Sequence, residues 1–169
     1  LLLRREYETA RTLAPVIEEA SKLGGFAIDS HRQLQFTFKY AAIDFALGQW
    51  EDSLTHVNTI LDTRGGILRD DLLINTRLLE LICHYELSNF LLLDHFLTNF
   101  ARLLRRSTET AEVHRRTATL LRSLLRDEGP AAKQREFADY FSELQELSAD
   151  PFEQKALRYL DLRSWYGRS

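Results

Sequence analysis

In 169 residues this sequence has one cysteine, three prolines, seven glycines and no methionine. A single cysteine excludes an intramolecular disulfide, and no Cys/His zinc spacing surrounds it. Cys83 lies in an apolar helical run and reads as a small buried hydrophobe, since free cysteine is among the most buried residue types. A lone thiol of this kind fits a reducing, cytoplasmic compartment. Apolar runs are broken by charge well short of the roughly 20 residues a membrane span needs, so none is expected. Neither charge sign dominates. Its 22 basic and 25 acidic residues give −3, which argues against a whole-chain polyanion binder and makes nucleic acid a poor partner. Leu1-Leu2-Leu3 precedes Arg4-Arg5, the reverse of a signal peptide. With methionine missing as well, residues 1–169 read as a single domain, the C-terminal part of a longer chain.

What is present is helical periodicity, with 44% apolar and 28% charged residues. A first helix spans Leu1 to Leu23, turning Tyr7, Ala10, Leu13, Ala14 and Ile17 to one face. Pro15 predicts a kink or a restart near Thr12, because proline removes a backbone donor and crowds the preceding turn. Gly24-Gly25 ends it. Ser30 and Gln33 stand at capping-box spacing before a helix to Leu47. Gly48 makes a turn into a helix from Gln49 to Asp62, and Gly65-Gly66 closes that unit. A long helix from Leu68 to Leu87 follows, then Asn89 as a cap for a helix to Arg106. Ser107-Thr108 opens a helix to Arg126, and Gly129-Pro130 opens one to Leu147. Asp150-Pro151-Phe152-Glu153 starts a last helix reaching Trp165. No alternating strand pattern of useful length occurs. The chain reads as all-α.

Two stretches repeat. Gly48-Gln49-Trp50 and Ser88-Asn89-Phe90 each place an aromatic two residues after a small or polar break, with an apolar helix on either side. Aligning Trp50 with Phe90 gives a period of 40 residues and pairs Val57 with Leu97 and Ile60 with Phe100, although Leu54 meets Asp94. Tyr7, Ala10, Ala14 and Ile17 take the positions of Trp50, Ser53, Val57 and Ile60 at a spacing of 43. Self-similarity at such a period marks stacked helical units that cannot bury their apolar faces alone. Trp50 and Phe90 then belong between helices as packing residues.

Gly48-Gln49-Trp50, with Ser53, Val57 and Ile60 behind it, resembles the second half of a tetratricopeptide repeat. It departs from that family in its longer period, against about 34 residues, in lacking the proline between repeats, and in Ser88 where a glycine is usual. Phe45-Ala46-Leu47-Gly48-Gln49-Trp50, Asn58-Thr59-Ile60-Leu61, Leu68-Arg69-Asp70-Asp71-Leu72, Arg77-Leu78-Leu79 and His84-Tyr85-Glu86-Leu87-Ser88-Asn89 resemble uncharacterised bacterial tetratricopeptide-like proteins, mostly from Bacteroidetes. Tyr159-Leu160-Asp161-Leu162 with Trp165 is similar to the same group, so that about half the chain is covered. The resemblance implies a right-handed α-α superhelix of about four stacked antiparallel helical hairpins, the first incomplete. It implies no catalytic residues.

It also implies that the first helix of each hairpin lines a groove, with Gln35, Phe38, Ala42 and Phe45 from one hairpin and Asn75, Leu78, Ile82 and Tyr85 from the next. Such anchors suit a peptide laid in a groove. The competing reading packs them beneath the C-terminal helix or a missing repeat. Arg102, Arg105 and Arg106 end one helix, and Arg115, Arg116, Arg122 and Arg126 lie on the next. They read as a solvated face with local pairs such as Arg105–Glu109 or Glu112–Arg116, as a selector for acidic partners through Arg115, Arg116 and Arg122, or, least favoured for want of interleaved exposed aromatics or a recognised motif, as a nucleic-acid contact. Glu80 and His84 share a helix face, but two groups at this spacing read as a packing pair rather than metal ligands. Asp70-Asp71 reads as a helix start. There is no His-Glu-x-x-His pattern, phosphate loop or nucleophile elbow. The sequence thus predicts a non-enzymatic protein-interaction scaffold without cofactor or metal. The rival is a regulatory or ligand-sensing domain attached to a missing N-terminal effector, and a homodimer filling its own groove is a third reading.

Overall fold

The structure, a computed structural model, describes residues 6–23, 29–63, 68–126 and 129–166. Among these it contains nine helices and no strand: α1 (Tyr7–Leu23), α2 (Ser30–Ala46), α3 (Trp50–Leu61), α4 (Asp70–Glu86), α5 (Phe90–Arg106), α6 (Glu112–Leu124), α7 (Pro130–Leu147), α8 (Pro151–Leu157) and α9 (Leu162–Tyr166). The Gly24-Gly25 and Gly65-Gly66 stops and the side chains of Ala14 and Ile17 lie outside the described residues.

The 40-residue repeat is reproduced down to single hydrogen bonds. After α2, the Gly48 amide donates to Phe45 O at 3.0 Å and the Gln49 amide to Asp44 O at 2.8 Å. After α4, the Ser88 amide donates to Tyr85 O at 3.0 Å and the Asn89 amide to His84 O at 2.9 Å. Both are Schellman endings, which require a left-handed residue at the turn. Gly48 meets that requirement at φ 75°, and Ser88 is held in the same region at φ 58°. An aromatic pair clamps each turn: Phe45 meets Trp50 at 5.5 Å between centroids and Tyr85 meets Phe90 at 6.1 Å. A left-handed serine is strained where glycine is not. Ser88→Gly is therefore expected to stabilise the fold by about 0.5–1 kcal/mol, seen as a higher urea midpoint at unchanged slope.

Consecutive helices pack on one another from α1 through α4, and α4 also packs on α5 and α6. Each of α5, α7 and α8 packs on α6, while α2 touches α4 directly and α9 returns to α2. Helix α4 is enclosed. Leu72, Ile74, Leu78, Leu79, Leu81, Ile82 and Cys83 are all buried, and so are the polar Asp71, Asn75, Thr76, Glu80 and His84, so the helix is covered on most of its surface. Val57, Ile60, Leu97 and Phe100, matched by the repeat, are buried on α3 and α5. Ser53 is fully buried, its hydroxyl donating to Ala41 O at 2.8 Å, so this small residue lets α3 sit close against α2.

Several boundaries differ from the sequence expectation. Asp29 caps α2, its carboxylate accepting from Arg32 N at 2.8 Å; Ser30 is already the first helical residue. Asn89 precedes α5 but makes no side-chain cap, its amide turning instead to His84 Nδ1 at 3.2 Å. Helix α1 runs through Pro15 without a break. Leu13 on α1 is 41% exposed rather than inward, and Phe90 is 46% exposed, covered on one side by Tyr85. Helix α6 begins at Glu112 because the chain first turns through residues 107–111. The last helix is two short ones. It stops at Leu157 and restarts at Leu162, and the interruption lets Leu160, Leu162 and Trp165 all be buried.

Candidate interaction face

Residues 150–166 form an arm that returns across α6, α4 and α2. It begins at α6, whose N-terminus has no cap of its own because Ala111 carries no polar side chain. Glu153 supplies one from 40 residues away: its carboxylate accepts from the Glu112 amide at 2.7 Å and the Val113 amide at 2.9 Å. An anion at the positive end of a helix, bonded to two orphan amides, is a favourable placement. Lys155 adds an ion pair to Glu109 at 2.9 Å. Glu153→Gln puts an amide N–H against one of those donors and is expected to cost about 1–2 kcal/mol, measurable by chemical denaturation.

Further along, Tyr159 packs edge-on against Phe38 of α2 at 5.7 Å between centroids and donates its hydroxyl to Asp71 Oδ2 of α4 at 2.8 Å. Asp161 accepts from Tyr7 of α1 at 2.7 Å, joining residues 154 positions apart. The arm ends with Trp165, which has no exposed surface. Its ring meets Phe137 at 5.2 Å and Tyr85 at 6.3 Å between centroids, both edge-on, and its indole N–H donates to Glu86. Edge-to-face aromatic contacts of this kind add about 0.5–1.5 kcal/mol beyond burial.

Beneath the arm lies a buried polar chain. Asn75 donates to Asp71 O at 2.8 Å, and its carbonyl oxygen faces His114 Nε2 at 3.4 Å. His114 Nδ1 accepts from the Ala111 amide at 3.0 Å, which fixes the proton on Nε2. Burial, followed by the charge of Arg115, pushes the His114 pKa down to about 4, so the imidazole is neutral. For Asp71, burial alone would raise the pKa. Hydrogen bonds from Tyr159 and the Leu72 amide, with the charge and bond of Arg69, outweigh it and hold the carboxyl below its ordinary value. Burial, then the bond to Asp71, pushes the Tyr159 phenol up to about 12. The pair is thus a phenol donating to a carboxylate, a charge-assisted bond.

This arrangement places the residues read as groove-lining. Phe38, Phe45, Asn75 and Leu78 are all buried: Phe38 under Tyr159, Phe45 against Trp50, and Asn75 in the polar chain. Tyr85 is half-buried between Phe90 and Trp165. Gln35 is exposed, its amide 3.1 Å from His31 Nε2. The structure brings Phe38 and Tyr85 together through the arm, and leaves Gln35 outside it. Arg115 pairs with Glu112 at 3.3 Å, and Arg116 with Glu112 at 3.0 Å and Glu143 at 3.3 Å. Arg122 is exposed with no ion pair among the described residues. The Arg105–Glu109 pair gives way to Lys155–Glu109, because α5 ends at Arg106 and helical spacing stops there. The sequence marks Asp71 and Glu153 only as parts of helix starts and does not point to the contacts of Glu86, His114, Tyr159 or Trp165. Packing of the groove residues beneath the C-terminal helix, the competing reading, is what Phe38 under Tyr159 shows.

Elsewhere, Glu80 is buried against Arg77 at 2.8 Å, and His84 stacks on Phe96 at 5.2 Å between centroids. A cleft of about 350 Å³ between α1, α2 and α3 is lined by Arg11, Tyr40, Asp44, Asp52 and His56. Its charges already satisfy one another, Arg11 lying 3.5 Å from Asp44 and 3.0 Å from Asp52, and His56 3.4 Å from Asp44. Among the described residues no group of three or more His, Cys, Asp or Glu side chains is placed to hold a metal ion, and no helix is long and apolar enough to cross a membrane. No protein-family model matches the chain, and no curated protein or solved structure does either.

Proposed function

We propose that this chain is a non-enzymatic interaction scaffold whose inner face, formed by α2, α4 and α6, binds a peptide or protein segment. The observation that carries the reading is that this face already holds a segment of chain, the protein's own arm of two short helices, through Phe38, Asp71, Tyr85 and Glu86. In this reading the fold is a single tetratricopeptide-like domain, a right-handed superhelix of antiparallel hairpins α2–α3, α4–α5 and α6–α7. The duplicated Schellman turns and the packing of α2 on α4 and α4 on α6 support it. Cytoplasmic placement suits a buried free thiol at Cys83, whose pKa burial pushes up to about 12. The source we favour is bacterial, on the resemblance alone. Arg122, free to face solvent, is the arginine best placed to meet an acidic partner, while Arg115 and Arg116 are engaged locally.

The test is capture of partners by the full chain and by its Phe38→Ala and Tyr85→Ala variants, with helicity checked by circular dichroism. Loss of a reproducible partner with helicity retained is the expected result. An unchanged partner set contradicts the groove, and turnover or metal retention by the purified chain contradicts the non-enzymatic reading. The second reading, a regulatory domain, is favoured by the same arm, because a face that is covered in cis can be switched.

A further inference from the structure

The arm is built like a bound ligand. Helices α8 and α9 have seven and five residues, and helices of that length are not stable in water without packing. What holds them is the burial of Ala156, Leu160, Leu162 and Trp165 together with a few directional contacts. On α4 the face presents acceptors, the carboxylates of Asp71 and Glu86, to the Tyr159 hydroxyl and the Trp165 indole N–H, while the arm's Glu153 and Asp161 accept from α6 and α1. Between the Tyr159 and Trp165 anchors Leu160 and Leu162 are buried either side of a tight turn in which the Leu162 amide donates to Leu160 O at 3.0 Å, so the footprint reads aromatic, leucine, acid, leucine, then tryptophan three residues on. Removing the arm would uncover Phe38 and the slot between Tyr85 and Phe137. An uncovered apolar face of that kind invites a substitute of like chemistry.

Resting on the reading of the inner face as a segment-binding surface, we propose that residues 158–166 are a displaceable intramolecular ligand. The partner of this face is then a peptide of the same chemistry, with a phenol for Asp71, aliphatic residues behind it, and an indole for the slot closed by Tyr85, Phe137 and Glu86. Free and arm-covered forms compete, so affinity for such a peptide is set by how firmly the arm is docked. A partner would engage a loosened arm far more tightly than a native one.

The probe is a fluorophore-labelled synthetic peptide of residues 150–166, titrated by anisotropy into the full-length chain and its variants. Trp165→Ala is expected to raise the affinity for the peptide by roughly 100- to 1,000-fold over the native chain, as the competing cis segment loses its buried indole. Tyr159→Phe, which removes one hydroxyl and keeps the ring, should raise it at least about tenfold, and serves if the first variant does not fold. Asp71→Asn in the Trp165→Ala chain should take back about fivefold, and a peptide with alanine at both aromatic positions should not bind. Absence of peptide binding to either variant, with helicity native and Arg158 newly open to trypsin, overturns the proposal. In that event a partner captured by the native chain and lost from Tyr85→Ala would leave the interaction reading standing. Peptide binding in trans with no such partner would do the reverse.

Discussion

Replacing Trp165 with alanine is expected to weaken docking of the C-terminal arm by about 3–5 kcal/mol, the range for truncating a fully buried aromatic. The side chain has no exposed surface, packs edge-on against Phe137 and Tyr85, and satisfies Glu86 with its indole N–H. Alanine leaves a cavity between α4 and α7 and a carboxylate without that donor. Because α8 and α9 have little helical stability of their own, the loss falls first on the arm. Limited trypsin digestion should therefore cut at Arg158 and Arg163 orders of magnitude faster than in the native chain, while far-UV circular dichroism keeps most of the helical signal of α2 to α7. Cleavage at the native rate would show that the indole does not hold the arm.

Acid is expected to destabilise the fold from the pH at which a free histidine takes up its proton. A neutral, buried His114 has a folded pKa of about 4 against 6.5 when unfolded, so the unfolded chain binds the extra proton first. Stability from this residue is therefore complete above pH 6.5 and is lost as pH falls from 6.5 towards 4. The gap corresponds to about 3 kcal/mol. Its cause is burial, followed by the charge of Arg115, and the geometry agrees, since Nδ1 accepts from the Ala111 amide and a second ring proton would point at a donor. His84, whose pKa is lowered by burial against a smaller opposing effect of Glu80, acts in the same direction. Asp71, with its pKa below 3.8, adds a further loss only as pH falls through its folded value. Urea denaturation between pH 4 and pH 7.5 should show the slope, and His114→Asn should flatten most of it while lowering stability at neutral pH. An unchanged slope in that variant would assign the acid sensitivity elsewhere.

Much of the local structure was legible because it depends on near neighbours. The 3.6-residue period marks each helix, Gly129-Pro130 and Asp150-Pro151 mark two starts, and the match of Gly48 to Ser88 follows from turn chemistry that reappears as the same hydrogen bonds. Cover by the C-terminal helix was legible only as one of two readings, and the arm's individual contacts were not legible because they are remote. Tyr159 reaches Asp71 across 88 positions and Trp165 reaches Glu86 across 79. Glu153 caps a helix that begins 41 residues earlier, so no capping pattern could point to it. Phe38 illustrates the limit from the other side. An inward aromatic on α2 has the same sequence pattern whether it lines an open groove or lies beneath another segment, and only the position of Tyr159 decides between them. The arginines divide by distance too. Glu112–Arg116, four apart within α6, forms as helical spacing requires, whereas Arg105–Glu109 straddles the end of α5 and does not.

Occupancy of the α2 and α4 face by the chain's own arm is the claim on which the rest depends, and nuclear Overhauser contacts of Trp165 test it most directly. The expected result is cross-peaks from the indole ring to the Phe137 and Tyr85 rings, a slowly exchanging indole proton, and matching cross-peaks between Tyr159 and Phe38. Random-coil shifts for residues 158–166, with none of these contacts, would contradict it.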